Sequence, residues 1–210
     1  MATQTDWDRF RVESISLPTF IKRNLIHYQL LRAARRRANG SVLEVGIGSG
    51  AQSALLSRFV PLTVSIDNDL RILSAALPNL SRFGPSTRLV AADAFVLPFA
   101  EESFGVSLSQ GLMEHFADEE IAALIHEQLR VCRSVVFSVP SDRYPRQDVG
   151  NERLMSPPQW QALVERAVDR SRHVVRAGYY AADLEALKYS ALAGHWLGSF
   201  SVLVTVDPRP

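Results

Sequence analysis

Short apolar segments alternate with amphipathic segments along most of the chain. The apolar segments have the length and composition of buried strands, and the segments between them repeat apolar residues at helical spacing. We predict strands over residues 41–46, 62–66, 87–92, 106–109 and 134–139, and helices over residues 51–59, 68–77 and 118–130. Short apolar strands that alternate with helices are typical of a parallel, doubly wound sheet.

Further elements are predicted on either side of this alternation. Residues 19–38 predict one helix in front of the first strand, with Thr19 as its N-cap and Asn39-Gly40 as its end. Residues 141–158 predict a long polar loop, and loops of this length within a domain are usually functional or disordered. A helix over residues 158–168, a strand over 173–180, a helix over 181–192 and a last strand over 199–206 complete the prediction.

Composition narrows the class of protein. The 210 residues are 47% hydrophobic and 21% charged, as expected of a single globular domain over residues 1–210. No apolar run approaches the roughly 20 residues that span a bilayer, so no membrane association is expected. Cys132 is the only cysteine, so no intrachain disulfide can form and a cytoplasmic location is expected. The net charge of +1 gives no general attraction to nucleic acid. We expect a monomer or a homodimer.

Three alternating glycines follow the first predicted strand. Gly46, Gly48 and Gly50 stand between that strand and the next helix, and Glu44 precedes them. Glycines at such a turn let a nucleotide-like ligand approach the backbone. The NAD fingerprint spaces its last two glycines by two residues to seat a pyrophosphate, which Glu44 would repel. A carboxylate here suits a ligand that carries an ammonium group.

Two aspartates end the next two predicted strands. Asp67 lies about twenty residues after the glycine turn, where a carboxylate can bind both hydroxyls of a ribose. Asp93 ends the third strand at the same edge of the sheet. Either aspartate alone could be a helix N-cap. Their joint placement at strand ends favours a ligand site.

These motifs resemble those of class I S-adenosylmethionine (SAM)-dependent methyltransferases. The resemblance is closest to the small type 11 group and rests on residues 44–50, Asp67, residues 93–99 and residues 109–116. It covers about residues 41–139 and implies a Rossmann-like, seven-stranded sheet that is mostly parallel, with an antiparallel last strand and helices on both faces. It also implies that residues 1–40 form a helical lid and that residues 141–158 lie on the substrate side.

The resemblance implies a role for each residue of the cofactor site, with S-adenosylhomocysteine (SAH) as the product. Glu44 and the three glycines would form the wall next to the methionine part of SAM. Asp67 would bind the ribose beside Asn68, and Asp93 would accept from the adenine amino group near the Ala94 backbone N–H. Gln110 would end the fourth strand beneath the reactive methyl.

Glu114 and His115 follow the fourth strand and are the candidate catalytic residues. A histidine can accept a proton at neutral pH, so His115 is the leading candidate for a base. The alternative is that His115 only caps or orients the next helix.

Four further residues are candidates for substrate binding. His27 and Tyr28 belong to the leading helix, although packing onto the sheet is the favoured expectation for Tyr28. Arg143 and Tyr144 belong to the long loop, whose charges could instead pair among themselves. No metal is expected, because the histidines and the cysteine lack ligand spacing.

We expect transfer of a methyl group to oxygen or nitrogen of a small-molecule metabolite, with secondary metabolism as one setting. An RNA or protein methyltransferase is an alternative because four arginines cluster near the end of the leading helix, at positions 32, 35, 36 and 37. Nucleic acid is the less favoured partner, since helix C-termini attract cations in any case. A non-catalytic SAM-binding subunit is the third possibility. The chain departs from the family in having Gly105, where an aspartate is usual, and Ala92, where glycine is common.

Overall fold

The fold centres on one seven-stranded sheet. The computed structural model describes residues 13–145, 151–180 and 200–210, and its strands lie in the order β3-β2-β1-β4-β5-β7-β6. The strands are β1 (Ser41–Val45), β2 (Leu62–Asp67), β3 (Thr87–Ala91), β4 (Phe104–Gln110), β5 (Cys132–Pro140), β6 (His173–Tyr180) and β7 (Ser201–Pro208). Strands β1 to β5 pair in parallel, whereas β7 is antiparallel to both β5 and β6. The predicted fold class is therefore confirmed, including the antiparallel last strand.

Helices cover both faces of the sheet. They are α1 (Leu17–Ile26), α2 (Tyr28–Arg37), α3 (Ala51–Leu56), α4 (Leu70–Phe83), α5 (Asp118–Val131) and α6 (Pro157–Ala167). Apolar clusters place α1 to α4 on one face and α5 and α6 on the other. Between β3 and β4 the chain forms no helix, and Leu97 and Phe99 pack there against β1 and β2. No helix in the described ranges is long and apolar enough to cross a bilayer.

The single leading helix predicted over residues 19–38 is wrong. The chain forms two helices that are separated at His27, whose backbone has φ −93° and ψ 21°. The N-cap of α1 is Ser16, whose side chain accepts from the Thr19 backbone N–H, so Thr19 is not the cap. The predicted end is confirmed, because Asn39 and Gly40 both have positive φ angles.

Helix α4 continues beyond its predicted end at residue 77. Pro78 cannot donate a backbone hydrogen bond and usually ends a helix. Here three buried side chains that follow it, Asn79, Leu80 and Phe83, hold the last turn against the rest of the fold. Tertiary packing therefore outweighs the local preference. The helix predicted over residues 181–192 lies outside the described residues.

Asn79 joins the start of the described chain to the glycine turn. Its Oδ1 accepts from the Ile15 backbone N–H at 2.8 Å, and its Nδ2 donates to the carbonyls of Glu13 at 3.2 Å and Ser49 at 3.0 Å. Asn79 is 1% exposed and Ile15 is also buried, so water has little access to the Ile15 N–H as a substitute partner. Asn79 thereby links three segments of the fold.

We expect Asn79→Ala to lower the free energy of unfolding by about 1–3 kcal/mol, because it leaves buried hydrogen-bonding groups without a partner. Urea unfolding followed by circular dichroism measures the change. Ser81→Ala, at an exposed position of the same helix, is the matched control and should have almost no effect. Equal stabilities of the two variants would contradict this role of Asn79.

Candidate functional site

The glycine turn after β1 has left-handed backbone conformations at each glycine. The φ angles are +76° at Gly46, +50° at Gly48 and +72° at Gly50. The backbone N–H groups of Gly46 and Ile47 both donate to the Ile66 carbonyl, which holds the turn against the end of β2. A Cβ on Gly48 would have no heavy atom within 4 Å, whereas one on Gly50 would lie 3.1 Å from Leu80 Cδ2. Gly48 therefore borders open space, and Gly50 packs against α4.

Glu44 is a buried carboxylic acid directly below this turn. Its side chain lies on the face of the sheet that α3 covers, and the Ser65 hydroxyl donates to its Oε2 at 3.4 Å. Burial raises the pKa of Glu44 to about 7, against the opposing effect of hydrogen bonds from Ser53 and Ser65. An ammonium group beside this carboxyl would favour its ionised form, which is the interaction expected from the sequence.

Asp67 and Asp93 lie at the same edge of the sheet. Asp67 ends β2, is partly buried, and accepts from the Asp69 backbone N–H at 3.1 Å, while burial raises its pKa. The Ala92 backbone N–H donates to the Asp67 carbonyl, which holds the end of β3 beside β2. Asp93 is exposed and its Oδ1 accepts from the Phe95 backbone N–H at 2.9 Å.

Neither aspartate is a helix N-cap. The N-cap of α4 is Asp69, whose side chain accepts from the Arg71 backbone N–H at 2.8 Å. Asp93 opens a turn that no helix follows. The structural alternative raised from the sequence is therefore wrong for both residues.

Glu114 and His115 lie in a 3-10 turn just beyond β4. Gln110 is exposed at the end of the strand, and Gly111 follows with a φ of +68°. Glu114 is 3% exposed, and burial raises its pKa to about 8, with a further contribution from the nearby charge of Glu152. The Nε2 of His115 lies 4.0 Å from Glu114 Oε1.

Comparisons with known proteins agree on one class of enzyme. Residues 42–134 match the family described as "Methyltransferase domain". Among solved structures, a SAM-dependent methyltransferase from Aquifex aeolicus has a TM-score of 0.64 at 14% identity, over 92% of this chain and 98% of that one. Residues 42–134 are therefore a methyltransferase domain, on a fold that SAM-dependent methyltransferases share. No curated protein matches the sequence closely enough to count as a relative.

Other similar structures show how many substrates this methyltransferase fold serves. A magnesium protoporphyrin IX methyltransferase from Synechocystis, solved with bound SAH, has a TM-score of 0.62 at 12% identity, over 97% of this chain and 93% of that one. A small RNA methyltransferase has a TM-score of 0.69 at 14% identity, over 95% of this chain but only 27% of that one. At these identities the likeness shows the fold alone, and the substrate class is left open.

The loop after β5 of the methyltransferase returns to the turn after β4. The Arg153 backbone N–H donates to the Glu114 carbonyl at 3.0 Å, and His115 Nδ1 lies 2.9 Å from Asn151 Oδ1. The Arg153 guanidinium donates to Asp118 at 2.6 Å. His115 is therefore held from the loop side and does not cap α5. The N-cap of that helix is Ala117, whose backbone N–H donates to Glu120.

The candidate substrate residues lie in two places. His27 Nδ1 lies 2.9 Å from the Tyr180 hydroxyl, which also bonds to Ser138, so His27 is tied to the ends of β5 and β6. Tyr28 is 56% exposed, so the expectation that it packs onto the sheet is wrong.

Arg143 and Tyr144 follow β5. The Arg143 guanidinium lies over the Tyr179 ring, 4.0 Å from its centroid, and the Tyr144 backbone N–H donates to Ser141. The alternative was that the loop charges pair among themselves. The partners shown for Arg143 and Arg153 instead lie outside the loop, at Tyr179 in β6 and Asp118 in α5. The neighbouring Arg146 lies outside the described residues.

Sequence reasoning missed Asn151, Glu152 and Asn79. Asn151 and Glu152 reach the turn after β4 only because the loop folds back, and no local spacing indicates this. Asn79 contacts the glycine turn from α4, where the sequence pattern gives it no feature that distinguishes it from other polar helix residues. Among the described residues, no group of three or more acidic, histidine or cysteine side chains is arranged to hold a metal ion.

The raised pKa of Glu114 predicts a pH dependence of stability. The folded-state pKa of about 8 exceeds the ordinary value of 4.5, so the folded protein holds this proton more tightly than the unfolded chain. The contribution is fully present below pH 4.5 and is lost as the pH rises through 8, by up to about 1.4 kcal/mol per pH unit.

We therefore expect Glu114→Gln to flatten the fall in the free energy of unfolding over this pH range. Urea unfolding at several pH values between 4.5 and 8 measures the slope for the wild type and the variant. Glu44, with its pKa of about 7, contributes equally to the pH dependence of stability in the wild type and the variant. Identical slopes would show that Glu114 ionises normally in the folded state.

Proposed function

We propose that this methyltransferase transfers the methyl group of SAM to oxygen or nitrogen of a small-molecule metabolite. The observation that supports this most directly is the convergence of Asp67 and Asp93 on the edge where Gly48 borders open space. Ligands of open α/β sheets bind in the crevice outside the carboxyl ends of the strands. The buried Glu44 carboxyl adds a partner for an ammonium group at the same turn.

The residues present fit SAM. Glu44 and the glycine turn would hold the methionine part, while Asp67, next to Asn68, would bind the ribose hydroxyls. Asp93 would accept from the adenine amino group, with the Ala94 backbone N–H near the ring. When bound, SAM supplies an activated methyl group on a sulfonium.

The chemical step requires little covalent chemistry from the protein. The S–CH3 bond breaks with its electron pair left on sulfur, and the acceptor atom forms the new bond to carbon with its lone pair. Any proton on the acceptor must then leave. Of Glu114 and His115 beyond β4, His115 is the leading candidate to accept it, because burial raises the pKa of Glu114 to about 8 and keeps that carboxyl mostly protonated near neutral pH. Their main task is to position the acceptor and to hold this proton.

The arrangement of arginines favours a small molecule over RNA. The arginines near the end of α2 precede β1 and so lie at the opposite edge of the sheet from Asp67 and Asp93. Arg37 is paired with Asp207, and Arg35 lies over the Phe59 ring at 4.7 Å from its centroid. These arginines are thus distant from the proposed methyl site, and two of them already interact with other side chains of the protein. A non-catalytic role is disfavoured because all three carboxylates of the cofactor site are present.

Two measurements test the proposal. Calorimetry should show binding of SAH, and the purified chain should transfer labelled methyl from SAM into a small-molecule metabolite extract. Total RNA and a protein extract are the parallel acceptors. Labelling of RNA alone, sensitive to salt, would replace the proposal with the RNA alternative. Absence of SAH binding at millimolar ligand would overturn it.

A further inference from the structure

The carboxyl of Glu114 lies beside Gly111 at the end of β4. If Gly111 carried a Cβ, the heavy atom nearest to it among the described residues, apart from its chain neighbours, would be Glu114 Oε1 at 3.6 Å. Leu112, the next residue, would lie 3.6 Å from a Cβ on Gly46. Leu112 and Glu114 therefore lie where the end of β4 meets the glycine turn.

No arginine or lysine among the described residues forms an ion pair with this carboxyl. Its Oε2 is buried without a hydrogen-bond partner, although the residue is only 3% exposed. The nearby Arg153 guanidinium donates to Asp118 and to the Phe116 carbonyl, so its charge is directed away from Glu114. The His115 ring lies at 4.0 Å, and the charge of Glu152 adds negative potential.

Burying such a group is unfavourable unless something pairs with it. Burying an ionised carboxyl without a partner costs several kcal/mol of free energy, unless the carboxyl stays protonated. A cation that donates hydrogen bonds to the carboxyl removes this cost by stabilising the ionised form. A neutral hydroxyl would relieve it only in part, and a carboxylate ligand would be repelled. The acid is therefore matched to a ligand that carries a positively charged nitrogen.

We propose that Glu114, with Glu152 behind it, binds a cationic nitrogen of the methyl acceptor, so that the acceptors of this enzyme are amine-bearing small molecules. The inference rests on the proposed function and specifies its substrate class. His115 and Asn151 then fix the turn that carries the carboxyl. The titratable groups that act on Glu114 from the turn and the loop are His115 and Glu152.

Matched probes test this on the protein saturated with SAH. Each set of probes keeps one carbon skeleton and varies its end group between an amine, a hydroxyl and a carboxylate. The first set is phenethylamine, phenethyl alcohol and hydrocinnamate, and the second is butylamine, butanol and valerate. Ligand-observed NMR and calorimetry should show the amines binding on the order of tenfold more tightly than the alcohols, with no binding of the carboxylates. Binding of the alcohols or carboxylates as tightly as the amines, or of no amine at all, overturns the proposal.

Release of a proton on amine binding tests whether Glu114 is the group that binds the cationic nitrogen. Since burial raises its pKa to about 8, it is mostly protonated at neutral pH, and a bound cation should expel the proton. Calorimetry in two buffers of different ionisation enthalpy should detect this release in the wild type. Glu114→Gln should abolish both the release and the amine preference, and Glu152→Gln should weaken the preference.

Control variants separate this inference from the proposed function. Glu119→Gln makes the same chemical change at an exposed position in the first turn of α5 and should leave amine binding unchanged. SAH binding should stay within about twofold in all three variants, since none of these residues is assigned to the cofactor. Loss of SAH binding in the wild type would refute the proposed function, whereas SAH binding without an amine preference would refute this inference alone.

Discussion

Replacing Asp67 by alanine should weaken SAH binding by on the order of 100-fold. A hydrogen bond to a charged group contributes about 1.5–3 kcal/mol, and each 1.4 kcal/mol is a tenfold change in affinity. Two ribose hydroxyls bonded to one carboxylate therefore account for about 3 kcal/mol after the cost of desolvation. Isothermal titration with SAH measures the change directly, and Asp67→Asn, which keeps the shape but not the charge, should give an intermediate affinity.

Asp69 provides the matched control two residues further along the chain. Its carboxylate caps α4 and pairs with Arg71 at 2.6 Å, so Asp69→Ala should cost about 1 kcal/mol of stability and leave SAH affinity nearly unchanged. Thermal unfolding of both variants separates the two effects. If Asp69→Ala weakens SAH binding as much as Asp67→Ala, the ribose site is not at Asp67.

The sheet was predictable because its strands are short apolar runs and helices separate most of those in the parallel part. The β1 to β5 alternation is visible locally, and the antiparallel last strand followed from the family resemblance. The leading segment was not predicted correctly, because the break at His27 depends on a contact with Tyr180, 153 residues away. The end of α4 was missed for a similar reason, since Pro78 is tolerated only because Asn79 is held by distant backbone groups.

The candidate cofactor site was easier to predict from the sequence than the candidate acceptor site. Glu44 and Asp67 lie at or next to the end of a strand and Asp93 follows the end of β3, and parallel topology brings such ends to one edge. Glu152 has no comparable signal, because its position depends on the route of a polar loop. The loop contacts that hold it, from Arg153 to the turn after β4, involve backbone atoms that any sequence could supply.

Gly105 was noted in the sequence only as a departure from the family. In the structure a Cβ at this position would lie 1.9 Å from the Ala38 carbonyl oxygen and 2.7 Å from that of Arg37. Real Cβ atoms essentially never approach another heavy atom within 3.0 Å. The Gly105 backbone N–H also donates to Ser41 Oγ at 3.0 Å. The end of α2 thus packs directly on the start of β4, and this contact leaves no room for a side chain.

Gly105→Ala should therefore be strongly destabilising. The atoms it would strike belong to the backbone between α2 and β1, which cannot move aside as a flexible side chain could, so we expect a loss of about 3 kcal/mol. This corresponds to a fall in Tm of about 6–12 °C for a chain of this size. Gly178→Ala is the matched control, because Gly178 also lies in a strand and no heavy atom of the described residues lies within 4 Å of its Cβ position. It should change stability by less than about 0.5 kcal/mol. Similar unfolding curves for the two variants would mean that α2 does not contact β4 in this way, and the placement of the leading helices would then have to be revised.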